Sequence, residues 1–363
     1  MTNFSFQDIT AIPIHITVFL VALLLSTIAT PFVRQSAIDA GYYDEPGGRK
    51  IHKAPIPRLG GIAIAIGFFI PLCLLLTFRD SWFSDTSYKG VIIGAGLMFF
   101  VGLVDDLYNL SPFIKLMGQV LSVLAAFWMG VDIQTLDLPL SQLLILSSAS
   151  LPISTLWLVG VTNSLNFIDG VDGLAGGVTV ISSITFAIVA YSQHEPMAAI
   201  MSLALAGASL GFLCFNFNPA AIFMGDGGAL MCGFVLAAVG IVGVLKTLTM
   251  VLLVPIVILT VPLVDITYAT IRRLAQFKSP FVADANHIHH KLIRVGLSHV
   301  GTVILLYAMC FLVGCVATIY VHRLYEYIFA VFSVSVLSTI LILIRRAYFK
   351  PDQARVNVST LSK

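Results

Sequence analysis

The chain has 363 residues, 58% of them hydrophobic and 10% charged, with a formal net charge of +2. Its mean hydropathy is +0.97. No water-soluble globule of this length can hide so much apolar surface, so the composition excludes a soluble domain and demands a membrane. A net charge this small says little about partners, and no nucleic acid is expected among them.

In chain order, the apolar runs predict an all-α, polytopic integral membrane protein with about eleven transmembrane helices, at roughly 11–33, 57–78, 90–104, 116–133, 143–165, 177–193, 197–214, 229–245, 248–267, 300–320 and 328–344. Each approaches the ~20 residues that cross about 30 Å of hydrocarbon as a helix, and none alternates as a barrel strand does. Sixteen of the twenty Lys and Arg fall on one side of this threading; only Arg79, Lys89, Lys246 and Arg323 fall on the other. The positive-inside rule then puts the N-terminus outside and the C-terminus in the cytoplasm. The leading residues Met1 to Ala11 carry Asp8 and no basic stretch, so the first segment reads as a span rather than a signal peptide. The five cysteines lie in apolar stretches without a CxxC pair, as small buried hydrophobes do.

No linker or low-complexity tract divides the chain, which reads as one membrane domain, 1–363, with cytoplasmic catalytic loops at about 34–57, 105–115, 166–176, 215–228 and 268–299. The acidic residues of these loops carry the argument. Carboxylates beside hydrocarbon are expensive and mark an ion site or chemistry.

Asp44 to Lys53 and Pro57-Arg58-Leu59-Gly60-Gly61 combine basic residues with turn-formers, the pattern of a polybasic segment at a membrane surface. Asp105-Asp106 ends the next apolar stretch. Two adjacent carboxylates repel, so either a cation sits between them or one becomes a proton acceptor; a solvated helix end is the plain alternative. Lys115 on the same loop reads as a phosphate contact or a snorkelling lysine. In Asn166-Phe167-Ile168-Asp169-Gly170-Val171-Asp172-Gly173-Leu174-Ala175-Gly176-Gly177, the spacing of Asp169 and Asp172 predicts projection from one side of a helical turn, with glycines letting backbone approach an anion. Asp226, in Phe223-Met224-Gly225-Asp226, is either a helix cap or a hard oxygen ligand for a divalent cation. His287-Ile288-His289-His290 lacks zinc-site spacing and lies among cations, which favours anion binding.

These five motifs, in this order, resemble the polyprenyl-phosphate N-acetylhexosamine-1-phosphate transferases. The HIHH form of the histidine motif is similar to the WecA and TagO branch rather than the peptidoglycan-precursor branch. The resemblance implies an undecaprenyl-phosphate α-N-acetylglucosaminyl 1-phosphate transferase: UDP-N-acetylglucosamine as donor, undecaprenyl phosphate as acceptor, and undecaprenyl-diphospho-N-acetylglucosamine and UMP as products. It further implies a bacterial inner-membrane location, Mg²⁺ or Mn²⁺ dependence, tunicamycin inhibition, a homodimer, and the first membrane step of O antigen or another lipopolysaccharide, enterobacterial common antigen or teichoic acid.

By the same resemblance, Asp226 is the principal metal ligand with Asp105 and Asp106 alongside. Asp105 also deprotonates or orients the lipid phosphate, and Asp106 supports it. Asp172 and Asn216 contact the uracil, Phe223 stacks on it, and Asp169 lines the nucleotide site. His287, His289, His290 and Arg273 hold diphosphate and sugar, with Asp284, Lys115 and Asp44 as further candidates. Another UDP-N-acetylhexosamine or UDP-MurNAc-pentapeptide as donor is the nearest alternative. An ion-coupled transporter, which places acids at span midplanes, and an ion sensor without turnover are the alternatives of another class.

Overall fold

The computed structural model describes residues 6–44, 55–78, 84–133, 135–138, 141–144, 147–245, 259, 263, 292 and 297–322. Their elements run α1 (Phe6–Asp39), β1 (Tyr43–Asp44), β2 (Ile56–Pro57), α2 (Gly61–Phe78), α3 (Thr86–Tyr108), α4 (Pro112–Phe127), β3 (Thr135–Leu138), β4 (Ser141–Leu144), α5 (Ser147–Ile168), α6 (Leu174–Ser192), α7 (Pro196–Asn216), α8 (Gly225–Val239) with a π-helical turn Gly240–Leu245, and α9 (His299–His322). Two short antiparallel ladders, β1 with β2 and β3 with β4, correct the all-α expectation to mostly helical.

Among the described residues, eight helices are long and apolar enough to cross a membrane: α1 to α3 and α5 to α9. The protein is a mostly helical, multi-pass membrane protein. Eight of the expected spans fall on these helices. The span at 116–133 falls on α4, whose 16 residues rise about 24 Å at ~1.5 Å per residue. Beyond α4, Ile133 accepts from Ser150 Oγ at 2.8 Å and donates to Ser154 Oγ at 2.8 Å, so the segment reaches the first turns of α5. The spans at 248–267 and 328–344 lie outside the described residues, apart from Leu259 and Leu263.

Three helices form the centre. Within their membrane-length windows α6, α7 and α8 are 89%, 83% and 89% buried, against 28% for α1. The wall helices turn apolar residues outward; Ile16, Leu20, Leu24 and Ile28 recur every four residues along α1, which puts them on one lipid-facing stripe. Inside, small residues let backbones touch. Gly211 lies so close to Leu23 and Thr27 of α1 that a side chain there would meet backbone, the close approach by which helices pack in lipid. Buried hydroxyls return to their own helix, Thr179 to the Ala175 carbonyl and Ser202 to the Ala198 carbonyl, both at 2.8 Å.

The antiparallel threading brings the C-terminal ends of α1, α3, α5 and α7 and the N-terminal ends of α2, α4, α6 and α8 to one end of the bundle. The acidic motifs all sit there. β2 continues into a short backbone pairing: Phe223 N–H donates to Pro57 O at 2.8 Å, and Gly60 and Gly61 N–H donate to Phe223 O and Met224 O at 2.9 and 2.7 Å. The Pro57–Gly61 motif is therefore a structural partner of the Phe223–Asp226 motif, a role that a reading as a polybasic surface segment does not contain.

Candidate active site

The α3–α4 corner is built from local signals. Asn109, with φ 50°, closes α3 in the left-handed conformation, and Ser111 caps α4, with Pro112 at its start. That tight reversal sets Lys115, on the first turn of α4, beside Asp105 on the last turn of α3. The Lys115 ammonium lies 3.0 Å from Asp105 Oδ2 and 2.7 Å from Asp226 Oδ2, and 3.4 Å from Asn166 Oδ1. Asn166 Nδ2 donates to Asp226 Oδ1 at 2.6 Å, and Leu110 N–H donates to Asp105 Oδ1 at 2.7 Å. Side chains from α3, α4, α5 and α8 thus converge on one cation position.

Asp106 points elsewhere. Its two oxygens accept the N–H groups of Asp226 and Gly227, each at 2.9 Å, so it caps α8 from a neighbouring helix. A helix cap was one reading of Asp226; the structure gives that work to Asp106 and leaves the Asp226 carboxylate to Lys115 and Asn166. Gly225 makes this possible. It has φ +74°, and a Cβ there would crowd the Arg58 carbonyl and the Asp106 carboxylate. The Arg58 guanidinium donates to Asp106 O and, at 3.2 Å, to Asn109 Oδ1, which ties the motif preceding α2 to the α3 corner.

The expected helical turn for Asp169 and Asp172 is instead the connection between α5 and α6, because Gly173 adopts φ +80°. The two acids part. Asp172 Oδ2 accepts from Asn218 Nδ2 and from Ala220 N–H, each at 3.0 Å. Asn216 Oδ1 accepts from Gly173 N–H at 3.1 Å while its Nδ2 donates to Ile222 O at 2.9 Å. Both therefore hold the wall formed by residues 217–224, on which Phe223 stands. Arg34, near the end of α1, donates to Ala221 O at 3.0 Å.

Asp169 faces the acidic side. Desolvation first, then the charges of Asp226, Asp106 and Asp172, push its carboxyl well above the usual range. Burial opposes the charge on Lys115, but Asp226 and Asp105 outweigh it and hold the ammonium above its ordinary value. Two carboxylates, Asp105 and Asp226, share the single ammonium of Lys115. Among the described residues no three His, Cys, Asp or Glu side chains chelate a single point, so a cation here would take Asp105 and Asp226 and complete its shell from phosphate and water. That is how Mg²⁺ is usually held in phosphoryl-transfer sites.

Asp44 lies in β1, where it pairs with Ile56. His287, His289, His290, Arg273 and Asp284 lie outside the described residues. Arg58, Asn109, Arg34 and the side-chain work of Asn166 were not singled out from sequence; only their places inside or beside motifs pointed to them.

The profile of glycosyl transferase family 4 matches residues 88–244, a segment that holds three of the five motifs. The chain is 36% identical over 299 residues to a probable undecaprenyl-phosphate N-acetylglucosaminyl 1-phosphate transferase of Bacillus subtilis, covering 82% of each. The chain belongs to glycosyl transferase family 4. Within the family it is also 33% identical over 317 residues to a decaprenyl-phosphate N-acetylglucosaminephosphotransferase of Mycolicibacterium smegmatis, covering 79% of this chain and 77% of that one. A phospho-N-acetylmuramoyl-pentapeptide-transferase of Bacillus anthracis is 33% identical over 242 residues, 61% of this chain and 72% of that one. As a family member with such relatives, the protein is a phosphoglycosyltransferase.

Proposed function

We propose that the protein transfers N-acetylglucosamine 1-phosphate from UDP-N-acetylglucosamine to undecaprenyl phosphate, releasing UMP and starting a cell-surface polysaccharide on its lipid carrier. The observation that carries this reading is the pair of carboxylates, Asp105 and Asp226, drawn onto one ammonium at 3.0 and 2.7 Å at the end of a lipid-facing bundle. A water-soluble nucleotide sugar and a lipid phosphate meet only where polar groups reach helix ends. The printed activities of the Bacillus and Mycolicibacterium relatives support the choice of donor and acceptor.

An oxygen of the acceptor phosphate forms a bond to the β-phosphorus of the donor. The bond from that phosphorus to the bridging oxygen breaks, and UMP leaves with the electron pair. Positioning and charge neutralisation do most of this work. Asp105 orients the acceptor phosphate and takes its proton where one is present. Lys115 turns from the carboxylates to the phosphates. Asp106 keeps α8 aimed, Phe223 stacks on the base, and Asp172 and Asn216 shape the wall beneath it, while Asp169 lines the nucleotide side. The histidine motif and Arg273 hold diphosphate and sugar. Asp226 and Asp105 would hold Mg²⁺ or Mn²⁺, which would supply neutralisation of the diphosphate and the leaving group. Carboxylates engaged by cations are poor nucleophiles, which favours a single displacement.

In this reading eleven helices span the bacterial inner membrane, the N-terminus is outside, and the acidic end of the bundle faces the cytoplasm, where the basic residues lie. Family resemblance adds a homodimer. The test is conversion of labelled UDP-N-acetylglucosamine by the purified protein in nanodiscs containing undecaprenyl phosphate, with UDP-N-acetylgalactosamine and UDP-MurNAc-pentapeptide as competing donors. Labelled lipid product from the first donor alone is expected. Product only from the pentapeptide donor would transfer the assignment to the activity named for the Bacillus anthracis relative.

A further inference from the structure

Tyr307 lies on α9, outside the segment matched by the family profile and outside all five motifs. Its hydroxyl donates to the carbonyl of Gly173. Its ring fills the space over Gly177, where any Cβ would overlap it. Gly173 closes the Asp169–Asp172 turn at φ +80°, a conformation open to glycine but not held by any side chain of its own. Its two backbone groups are held from outside instead. The N–H goes to Asn216 of α7 at 3.1 Å; the carbonyl takes Tyr307 of α9 together with the first helical bond of α6, from Gly177 N–H at 3.0 Å. The residue just before this pin is Asp172, which grips Asn218 and Ala220 in the wall that presents Phe223.

We propose that Tyr307 is a positioning residue for the donor nucleotide: its hydroxyl locks the Gly173 turn and, through Asp172, sets the wall at 217–224. The proposal rests on reading that wall as part of the nucleotide site. Tyr307→Phe keeps the ring against Gly177 and removes only the hydroxyl, so packing of α9 on α6 is retained.

The experiment uses the full chain in nanodiscs and two readouts: UMP binding by calorimetry, and steady-state kinetics in which the donor and the lipid are varied separately. Tyr307→Phe is expected to weaken UMP binding about five- to tenfold and to raise the donor KM by a similar factor. The lipid KM should stay within about twofold and the melting temperature within a few degrees, in line with the loss of one neutral hydrogen bond. A loss of kcat alone, with donor KM and UMP affinity unchanged, is what a merely structural tyrosine gives and would overturn the proposal. Wild-type protein that neither binds UMP nor releases it from the donor would overturn the site reading and the proposal with it. Wild-type binding equal to that of Tyr307→Phe would overturn the proposal alone.

Discussion

The two ends of the helix bundle both carry acids at helix termini, yet they use them differently. At the end where α3 begins, Asp85 caps its own helix by accepting Ser87 N–H at 2.9 Å, and Glu195 accepts the Tyr88 hydroxyl. These two acids hold chain ends. At the other end, Asp105 and Asp226, 121 positions apart, are drawn by Lys115 and Asn166 onto one cation position, and the capping is done by Asp106 across a helix contact. An acid at a helix end is therefore no evidence of function by itself. Convergence of several acids, with more negative charge than the protein neutralises, is.

Lys115 is the residue that most separates the two ends. Lys115→Met removes the protein's own cation from between Asp105 and Asp226. Mn²⁺ binding, followed by electron paramagnetic resonance, should tighten severalfold because no ammonium competes, while turnover falls by about 10²–10³-fold as a charged donor to the reacting phosphates is lost. Weaker Mn²⁺ binding in that variant would mean the lysine organises the carboxylates rather than occupying their cation position.

Asp169→Asn gives a smaller effect, read in its pH dependence. Burial first, then the charges of Asp226, Asp106 and Asp172, hold the folded-state carboxyl above the usual carboxylate range, so the folded protein binds the extra proton in the interval above that range. Its ionisation penalty is absent at lower pH and grows as pH rises through the folded pKa. In chelator-treated protein, Asp169→Asn should raise the melting temperature relative to wild type increasingly toward high pH, with little difference at the acid end. A difference that shrinks as pH rises would contradict a carboxyl held protonated by burial and the neighbouring acids. Smallest is Asp85→Ala at the opposite end. Loss of its cap should cost about 0.5–2 kcal/mol of stability and leave the KM values for both substrates unchanged.

Much of this was legible before the fold. Carboxylates at the ends of apolar runs stand out because hydrocarbon tolerates few of them, and Asp105, Asp106, Asp169, Asp172 and Asp226 all proved to share one end of the bundle. What the residues are tied to was less legible. Spacing suggests that Asp226 caps the helix it begins, but the glycines at 102 and 225 bring α3 against α8 and hand that task to Asp106. Asp169 and Asp172 look like neighbours on a helix face, and the positive φ of Gly173 sends them to different partners. Arg58, Asn166 and Tyr307 act on residues between 48 and 134 positions away; local pattern holds no trace of such pairings. The apolar runs located eight helices well because lipid-facing and core-facing residues are both apolar in a membrane protein, which makes spans obvious and their faces ambiguous.

The most direct test of the central claim is UMP release from UDP-N-acetylglucosamine by wild type and Asp226→Asn, with undecaprenyl phosphate and Mg²⁺ each present or withheld. Release by wild type should require both additions, and Asp226→Asn should release none at any Mg²⁺ concentration while melting within a few degrees of wild type. Near-normal release by Asp226→Asn would contradict the assignment of the converging carboxylates as the transfer site.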